Sequence, residues 1–411
     1  SVAAHPANQP RLDPTRRFVQ QGYGILQPRV VTPLPARSEF TLFHWLFAGQ
    51  CGIDPYSAPT SEVYQDLFGE GTFTGKGLLH VAALHTVLSG RLPSGQIRSH
   101  DLLEGTIARC AAVSDLTVIE DAPFHADVAA ARVHRWTRGD WQLLPILMQP
   151  RRYGLGAIHC WKMFDNLRRS LVAPASMVLL VVTLAGGVAV APAAALLLVF
   201  AALGAGPLMG AAAGFLPSRF DIAMRHFYLQ ATVGMGRAMA GSLWLFAQLL
   251  AQSLRALDAV LRATYRTFAS RRNLLQWTTA AAVQAQTSSR LGTMLARHWM
   301  EPVAALGLLV GVLALKPGFA GLTVALLALW GGAPLWAWWV SRPRANQGPA
   351  MPSPADARLL HAIAFESWQL FERCVTADDN HLPPDNLQIS PHEMLAHRTS
   401  PTNIGLYLLS T

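Results

Sequence analysis

The chain has 411 residues, of which 51% are hydrophobic and only 14% are charged, and its formal net charge is +9. This balance differs from that of a usual soluble globular protein, and the length indicates two or three structural units. The positive charge does not indicate a nucleic-acid partner, because no long run of lysine or arginine alternates with aromatic residues; arginines in loops beside membrane helices account for it.

Residues 1–160 mix polar and apolar positions, are rich in glycine and proline, and contain short strand-like runs. The run GYGILQPRVV (22–31) is typical of a β-strand bounded by turn residues. The stretches 102–113 and 128–136 show helical spacing of apolar residues. Strands and helices in this mixture predict an α/β domain over 1–160.

The next region, 161–342, is predicted to be an all-α transmembrane region. Residues 171–216 contain no charged residue, and this stretch is about twice the ~20 residues that one crossing needs. A turn at 186–192 would make it a helical hairpin. A second hairpin is predicted from 303–315 and 321–340, with Lys316, Pro317 and Gly318 at its tip.

The distribution of arginine predicts the orientation of these hairpins. The predicted tips carry one lysine between them, whereas the bases carry many arginines: Arg151, Arg152, Arg168, Arg169, Arg219, Arg225, Arg290, Arg297, Arg342 and Arg344. Because positive charge is retained on the cytoplasmic side, both bases and the N-terminal domain are expected to face the cytoplasm.

Residues 238–254 allow two interpretations. Their length could just cross a bilayer, but Ser242, Gln248 and Gln252 interrupt the apolar spacing, which favours an amphipathic helix at the membrane interface. Further along, 343–356 is a proline-rich linker, and 357–411, with a helical pattern over 359–375, is expected to open a third domain.

Two stretches of the first domain have residues suited to chemistry. The loop YQDLFGEGTFTGKG (64–77) contains four glycines, and backbone amides near Gly75 and Lys76 could approach a phosphate or a sugar, although a plain turn-rich loop explains the pattern equally well. In RSHDLLEG (98–105), Asp101 with Glu104 has the form of a helix-capping pair; the functional alternative is a general base.

The third stretch is RVHRWTRGDWQ (132–142). Arg132, Arg135 and Arg138 are spaced by three, which predicts that they share one side of a helix, flanked by Trp136 and Trp141. Guanidinium groups bind phosphate and flat indole rings stack on sugars, so the stretch is suited to a phosphate and sugar site. A belt of tryptophan and arginine that anchors the domain at the bilayer is the competing interpretation.

The order of these features is similar to that of processive membrane glycosyltransferases, which carry a Gln-x-x-Arg-Trp motif; here Arg132 stands at the glutamine position. The chain resembles one family in particular, the cyclic β-1,2-glucan synthases of bacteria. The stretches that carry this resemblance are GYGILQPRV, DPYS, SEVYQDLFGEGTFTGKG, SHDLLEG, HRWTRGDWQLLP and AHRTSPTNIGLYLLST.

The resemblance implies a multi-pass protein of the bacterial inner membrane. Residues 1–160 would be the C-terminal part of an inverting GT-A glycosyltransferase domain that uses UDP-glucose, a growing β-glucan and a divalent metal (Mg²⁺ or Mn²⁺). Residues 357–411 would begin an α/α glucoamylase-like domain. Asp101 would be the catalytic base, and the residues implied at the substrate are His100, Gly75, Lys76, Arg135, Trp136 and Arg138.

The metal ligands of this family form an Asp-x-Asp motif ahead of the GYGILQPRV strand, and no such motif lies between Ser1 and Arg29. We therefore expect the metal ligands to lie outside this sequence and the chain alone not to turn over UDP-glucose. The four cysteines are far apart and form no CxxC pair, which indicates no zinc site. A membrane transport or export module with a regulatory cytosolic domain is the alternative function.

Overall fold

The computed structural model describes residues 2–15, 17–31, 40–47, 62–92, 95–97, 101–120, 123–217, 223–276, 278, 280–285, 287, 290–315, 318–343 and 353–410. The chain divides into two units, Ser1–Ala345 and Asn346–Thr411. Their boundary falls within the stretch predicted to be a linker.

The described part of the first unit begins with short strands and helices. The strands β1–β5 are Arg11–Leu12, Val19–Gln21, Ile25–Val31, Leu78–Leu79 and Cys110–Ile119. The helices α1–α7 are Leu42–Phe47, Val63–Phe68, Val81–Leu88, Asp101–Ile107, Ala126–Gln142, Leu144–Leu147 and Pro150–Tyr153.

The rest of this unit is helical. The helices α8–α16 are Ala157–Leu184, Pro192–Ala213, Met224–Ala247, Leu249–Thr264, Ala280–Ala285, Leu291–Arg297, Met300–Ala314, Ala320–Gly331 and Ala333–Val340, and a π-helical turn, Tyr265–Ser270, follows α11. The protein is thus mostly helical with small sheets, and the GT-A layout of 1–160 stays a prediction.

A three-stranded sheet in the order β4-β3-β5 lies beside the helices α3 and α4. Strands β3 and β5 are parallel, from Ile25 opposite Cys110 to Val31 opposite Ile119, and the register shifts after Pro28. The sheet and the two helices bury one apolar cluster, which includes Leu103 and other residues with no exposed surface. Leu103 and Ile107 anchor α4 in this core, and Asp101 is the first residue of that helix.

The prediction of one helix over 102–113 is wrong for the second half of that stretch. Helix α4 ends at Ile107, and Cys110 starts strand β5. Between them Arg109 takes a left-handed backbone conformation with φ of 55°, and its guanidinium donates to the Gly69 carbonyl. Short apolar runs fit a buried helix and a buried strand equally well, so spacing alone could not separate the two.

Two described helices, α8 and α9, are long and apolar enough to cross a membrane, and the pair α15 and α16 would be a third if it forms one span bent by 46°. The single helix expected over 321–340 is therefore two. Pro334 in the first turn of α16 cannot donate to the carbonyl one turn earlier, and Gly332 precedes it, which explains the break. The loop at 185–191 between α8 and α9 lies where the turn was predicted. The arrangement as two membrane hairpins stays a prediction.

The stretch 238–254 is not one helix either, because α10 ends and α11 begins at Gln248. The Gln248 side-chain amide donates to the Ala333 carbonyl at 3.0 Å, which ties this break to the start of α16. Neither α10 nor α11 is among the helices long and apolar enough to span. Their placement at the membrane interface stays a prediction.

The second unit contains helix α17, Pro354–Cys374, and helix α18, Pro401–Ser410, with a two-stranded ribbon, β6 (Leu387–Gln388) and β7 (Met394–Leu395), between them. Ser353 caps α17, since its hydroxyl accepts from the Asp356 amide at 3.1 Å. Trp368 on α17 stacks on Tyr407 of α18 with centroids 6.2 Å apart. The helix predicted over 359–375 is confirmed and begins five residues earlier.

Candidate active site

The glycine-rich loop that follows α2 is attached to strand β3 by a glutamine. Gln27 Oε1 accepts from the Thr74 amide at 2.8 Å, and the Gln27 side-chain nitrogen donates to the Thr74 hydroxyl. Both atoms of one side-chain amide therefore hold one loop residue, which fixes the neighbouring Gly75 and Lys76 at the mouth of a cavity.

Gly75 lies directly against Asp101. Its φ of +88° is a left-handed conformation that disfavours side chains, and a Cβ added to it would lie 2.9 Å from Asp101 Oδ2. Only glycine lets the loop approach the carboxylate this closely. His100, the other residue predicted here, lies outside the described residues.

Helix α5 supplies the opposite wall of the cavity. It starts after His125, whose Nδ1 accepts from the Asp127 amide at 3.2 Å as an N-cap, and the helix predicted over 128–136 is confirmed within it. Arg135 and Trp136 both line the cavity. Trp136 remains 37% exposed, so much of its ring surface is open to the cavity or to solvent.

Glu120, at the end of strand β5, links the loop to α5. Its Oε2 lies 2.8 Å from Lys76 Nζ and its Oε1 lies 3.2 Å from Arg132 Nη2. The Arg132 guanidinium in turn lies 4.9 Å from the centre of the Trp136 ring. The sequence analysis did not single out Glu120, because a lone glutamate after a strand has no pattern that distinguishes it from a surface residue.

Arg138 does not line this cavity, although it was predicted to share a side of the helix with Arg132 and Arg135. Its Nη2 donates to the Gln276 carbonyl at 3.2 Å, and the side chain is buried. Each step of three residues rotates by about 60° around a helix axis, so two steps point Arg138 to a different face. The prediction that the three arginines line one side was wrong. Trp141 has a supporting position, with its Nε1 donating to Ser170 Oγ at 2.9 Å.

The N-terminal part of helix α8 closes the cavity and was also missed. The buried Lys162 donates to the Gly71 carbonyl at 3.1 Å, and its Nζ lies 4.7 Å from the centre of the Tyr64 ring. One turn earlier, His159 Nε2 lies 2.7 Å from Glu70 Oε1. Since about ninety residues separate these partners in sequence, no local signal could reveal them.

The cavity enclosed by these elements has a volume of about 610 Å³, within the range of about 300–1,000 Å³ for small-molecule sites. It brings together five of the predicted site residues: Asp101, Gly75, Lys76, Arg135 and Trp136. A further carboxyl, Asp140, also lines it. Burial raises the pKa of Asp140 to about 6, against a smaller opposite effect of the hydrogen bond from Asn166.

A second cavity of about 410 Å³ adjoins the first, and four residues line both: Val133, Thr137, Arg169 and Ser170. Asp127, near the start of α5, lies on its wall. Asp127 accepts from Arg297 Nη1 at 3.0 Å and lies 2.9 Å from His298 Nε2. These contacts attach the start of the helix that carries Arg135 and Trp136 to the segment preceding α14.

The charge state of His298 gives this attachment a pH dependence. Burial by itself lowers the pKa of His298, but the hydrogen bonds to Asp127 and Glu301 raise it to about 9. Because histidine in an unfolded chain has a pKa of about 6.5, the imidazolium contributes its full stabilisation below that pH, and the contribution is lost as the pH rises through the folded value. We expect the melting temperature of the protein in detergent to fall between about pH 7 and about pH 9.5 for this reason.

The same measurement on His298→Gln should show a shallower fall over that pH interval. His226→Gln is the matched control, since His226 is exposed. Identical slopes for the unchanged protein and His298→Gln would contradict the assignment of this pH dependence to His298.

Among the described residues, no group of three or more His, Cys, Asp or Glu side chains is placed to hold a metal ion. Within the cavity, the carboxylate of Glu120 is engaged by Lys76 and Arg132, and that of Asp140 by Asn166. The described part of the chain therefore does not fit a metal centre.

No family model matches the chain. A search of curated proteins finds the cyclic beta-(1,2)-glucan synthase NdvB of Rhizobium meliloti (strain 1021), which is 41% identical over 409 residues. The match covers 99% of this chain but 14% of that protein. The resemblance indicated by the sequence motifs is confirmed: over nearly its whole length, this chain is similar to one segment of a cyclic β-(1,2)-glucan synthase.

Proposed function

We propose that this chain forms part of a membrane-bound inverting glycosyltransferase that transfers glucose from UDP-glucose to a growing β-1,2-glucan. The observation that carries the proposal is the single cavity in which Asp101, the Gly75–Lys76 loop, Arg135 and Trp136 meet. A carboxylate, several cations and an open indole ring are the groups that a transfer of sugar from a diphosphate requires.

In this proposal Asp101 accepts the proton of the 2-hydroxyl of the terminal acceptor glucose. The acceptor oxygen attacks C1 of the donor glucose from the face opposite the diphosphate, the bond from C1 to the phosphate oxygen breaks, and UDP leaves with the bonding electrons. Attack from the opposite face converts the α-linked donor into a β-linked product.

The charge that develops on the departing diphosphate would be stabilised by Arg135. Arg132 and Lys76 lie on the same side of the cavity, where both contact Glu120. Glu120 balances part of their charge and holds the two cations in place. Fixed charges of this kind lower the barrier because they need no rearrangement during the reaction.

Trp136 would stack on the acceptor sugar. Its indole ring lines the cavity and is 37% exposed, and the Arg132 guanidinium lies 4.9 Å from the ring centre. A flat aromatic surface that is packed from one side offers the apolar face of a glucose ring a rigid platform. His100, Gly75 and Lys76 complete the proposed substrate contacts.

A divalent metal is expected for the whole enzyme from the family resemblance. The described residues of this chain do not fit such a site, and none of the steps above depends on one.

We also propose that residues 1–160 belong to a GT-A domain on the cytoplasmic side of a bacterial inner membrane. In the same proposal, 161–342 cross or line that membrane in two hairpins, and 357–411 begin a glucoamylase-like domain.

The test is the incorporation of radiolabelled glucose from UDP-glucose by the full-length protein purified in detergent. We expect a product that is degraded by a β-1,2-specific glucanase. A protein that binds or moves preformed glucan in vesicles but incorporates no label would instead favour the export function. Incorporation of label into a glucan with another linkage would contradict the acceptor assignment.

A further inference from the structure

Helix α5 places three different chemical groups in a row along the cavity. Arg132, Trp136 and Asp140 are spaced by four residues, so they lie on nearly the same face and about 6 Å apart along the axis per step. All three line the cavity. The row therefore presents a cation, an aromatic ring and a carboxyl group at intervals close to the length of one sugar ring.

The two ends of this row differ in charge. At the Arg132 end the cavity also holds Lys76 and Arg135, which would attract the diphosphate of the donor. Two cations of α8, Lys162 and Arg169, also line the cavity on the Asp140 side. Lys162 donates to the Gly71 carbonyl at 3.1 Å, and Arg169 Nε lies 3.3 Å from Asp165, so both are engaged by the protein itself. A carboxyl group at this end would repel a diphosphate and would suit neutral hydroxyl groups.

Asp140 is held in place by its neighbour on α8. Its Oδ1 accepts from Asn166 Nδ2 at 3.1 Å, and the Asn166 side-chain oxygen accepts from Arg169. This chain of bonds determines which way the Asn166 amide faces and orients the carboxyl group on the cavity wall. A carboxyl oxygen has two lone pairs and can accept from more than one hydroxyl group.

We propose that Asp140, oriented by Asn166, binds hydroxyl groups of the acceptor glucan one helical turn beyond Trp136. This inference rests on the proposed function, because it assumes that the cavity holds a glucan. It divides the cavity into a donor end at Arg132 and Lys76 and an acceptor end at Asp140. The partial burial of Asp140, which raises its pKa to about 6, fits a group that is shielded from water on the wall of a binding site.

The experiment measures two dissociation constants on the full-length protein in detergent, one for linear β-1,2-linked glucotriose and one for UDP. We expect Asp140→Ala to weaken binding of the trisaccharide by about tenfold or more, because hydrogen bonds to a charged group are lost. Binding of UDP should remain within about twofold, since UDP occupies the other end of the cavity. Asp115→Ala is the matched control, because Asp115 is exposed on strand β5.

Asp140→Asn preserves the side-chain shape and is measured in parallel. If Asp140→Ala misfolds and loses UDP binding, the trisaccharide affinity of Asp140→Asn tests the inference instead. The inference is overturned if either variant that retains UDP binding holds the trisaccharide as tightly as the unchanged protein does. It is also overturned if the unchanged protein does not bind the trisaccharide. Failure of the unchanged protein to bind UDP would contradict the proposed function instead, so the two failures are distinguishable.

Discussion

Asp101→Asn is expected to lower glucose transfer by the full-length protein by about 10²–10⁴-fold, the usual contribution of a general base. Asparagine has nearly the same shape, so the contact with the Gly75 backbone is preserved, but an amide does not accept the proton of the acceptor hydroxyl. Initial rates with radiolabelled UDP-glucose measure the change. The KM for UDP-glucose should stay within about threefold, because the loss lies in the chemical step.

Asp115→Asn is the control for this substitution, since it removes an exposed carboxylate from strand β5, which follows α4, without touching the cavity. We expect it to leave the rate unchanged. If Asp101→Asn retains normal synthesis, Asp101 is a helix-terminal residue only, and the chain would be better described as a non-catalytic membrane scaffold.

Gly75→Ala is expected to reduce transfer by about 10²-fold or more, because a displacement of about 1 Å at a reacting group has an effect of this size. The added Cβ would lie 2.9 Å from Asp101 Oδ2 and would push the carboxylate out of position. The left-handed backbone would add strain of about 1–2 kcal/mol. Rates and the melting temperature, measured together, separate the two contributions.

Gly90→Ala is the matched control for Gly75→Ala. Gly90 also has a positive φ, of +69°, but a Cβ there meets nothing within 4 Å. It should therefore lower the melting temperature by a similar amount and leave the rate unchanged. A normal rate in Gly75→Ala would contradict the close packing of the loop against Asp101.

Several features of this protein followed from its sequence alone. The uncharged stretch 171–216 predicted membrane helices because a bilayer core demands a long continuous apolar run, and α8 and α9 are long and apolar enough. Helix α5 was predicted because its helical periodicity is local. The resemblance to the cyclic β-(1,2)-glucan synthases was recognised from motifs that are read without knowledge of the fold, and the relative found at 41% identity confirms this resemblance.

Other features depended on partners distant in sequence, which no local pattern contains. The carbonyl that Arg138 binds belongs to the distant Gln276. The link through Glu120 joins residues on a loop, a strand and a helix, and Lys162 meets the loop only because α8 packs beside it. Residue types thus indicated which side chains have suitable chemistry, and local periodicity indicated helices such as α5. Tertiary packing alone decided which of them share the cavity, because a helix carries its side chains to all sides and only its neighbours determine which side encloses a site.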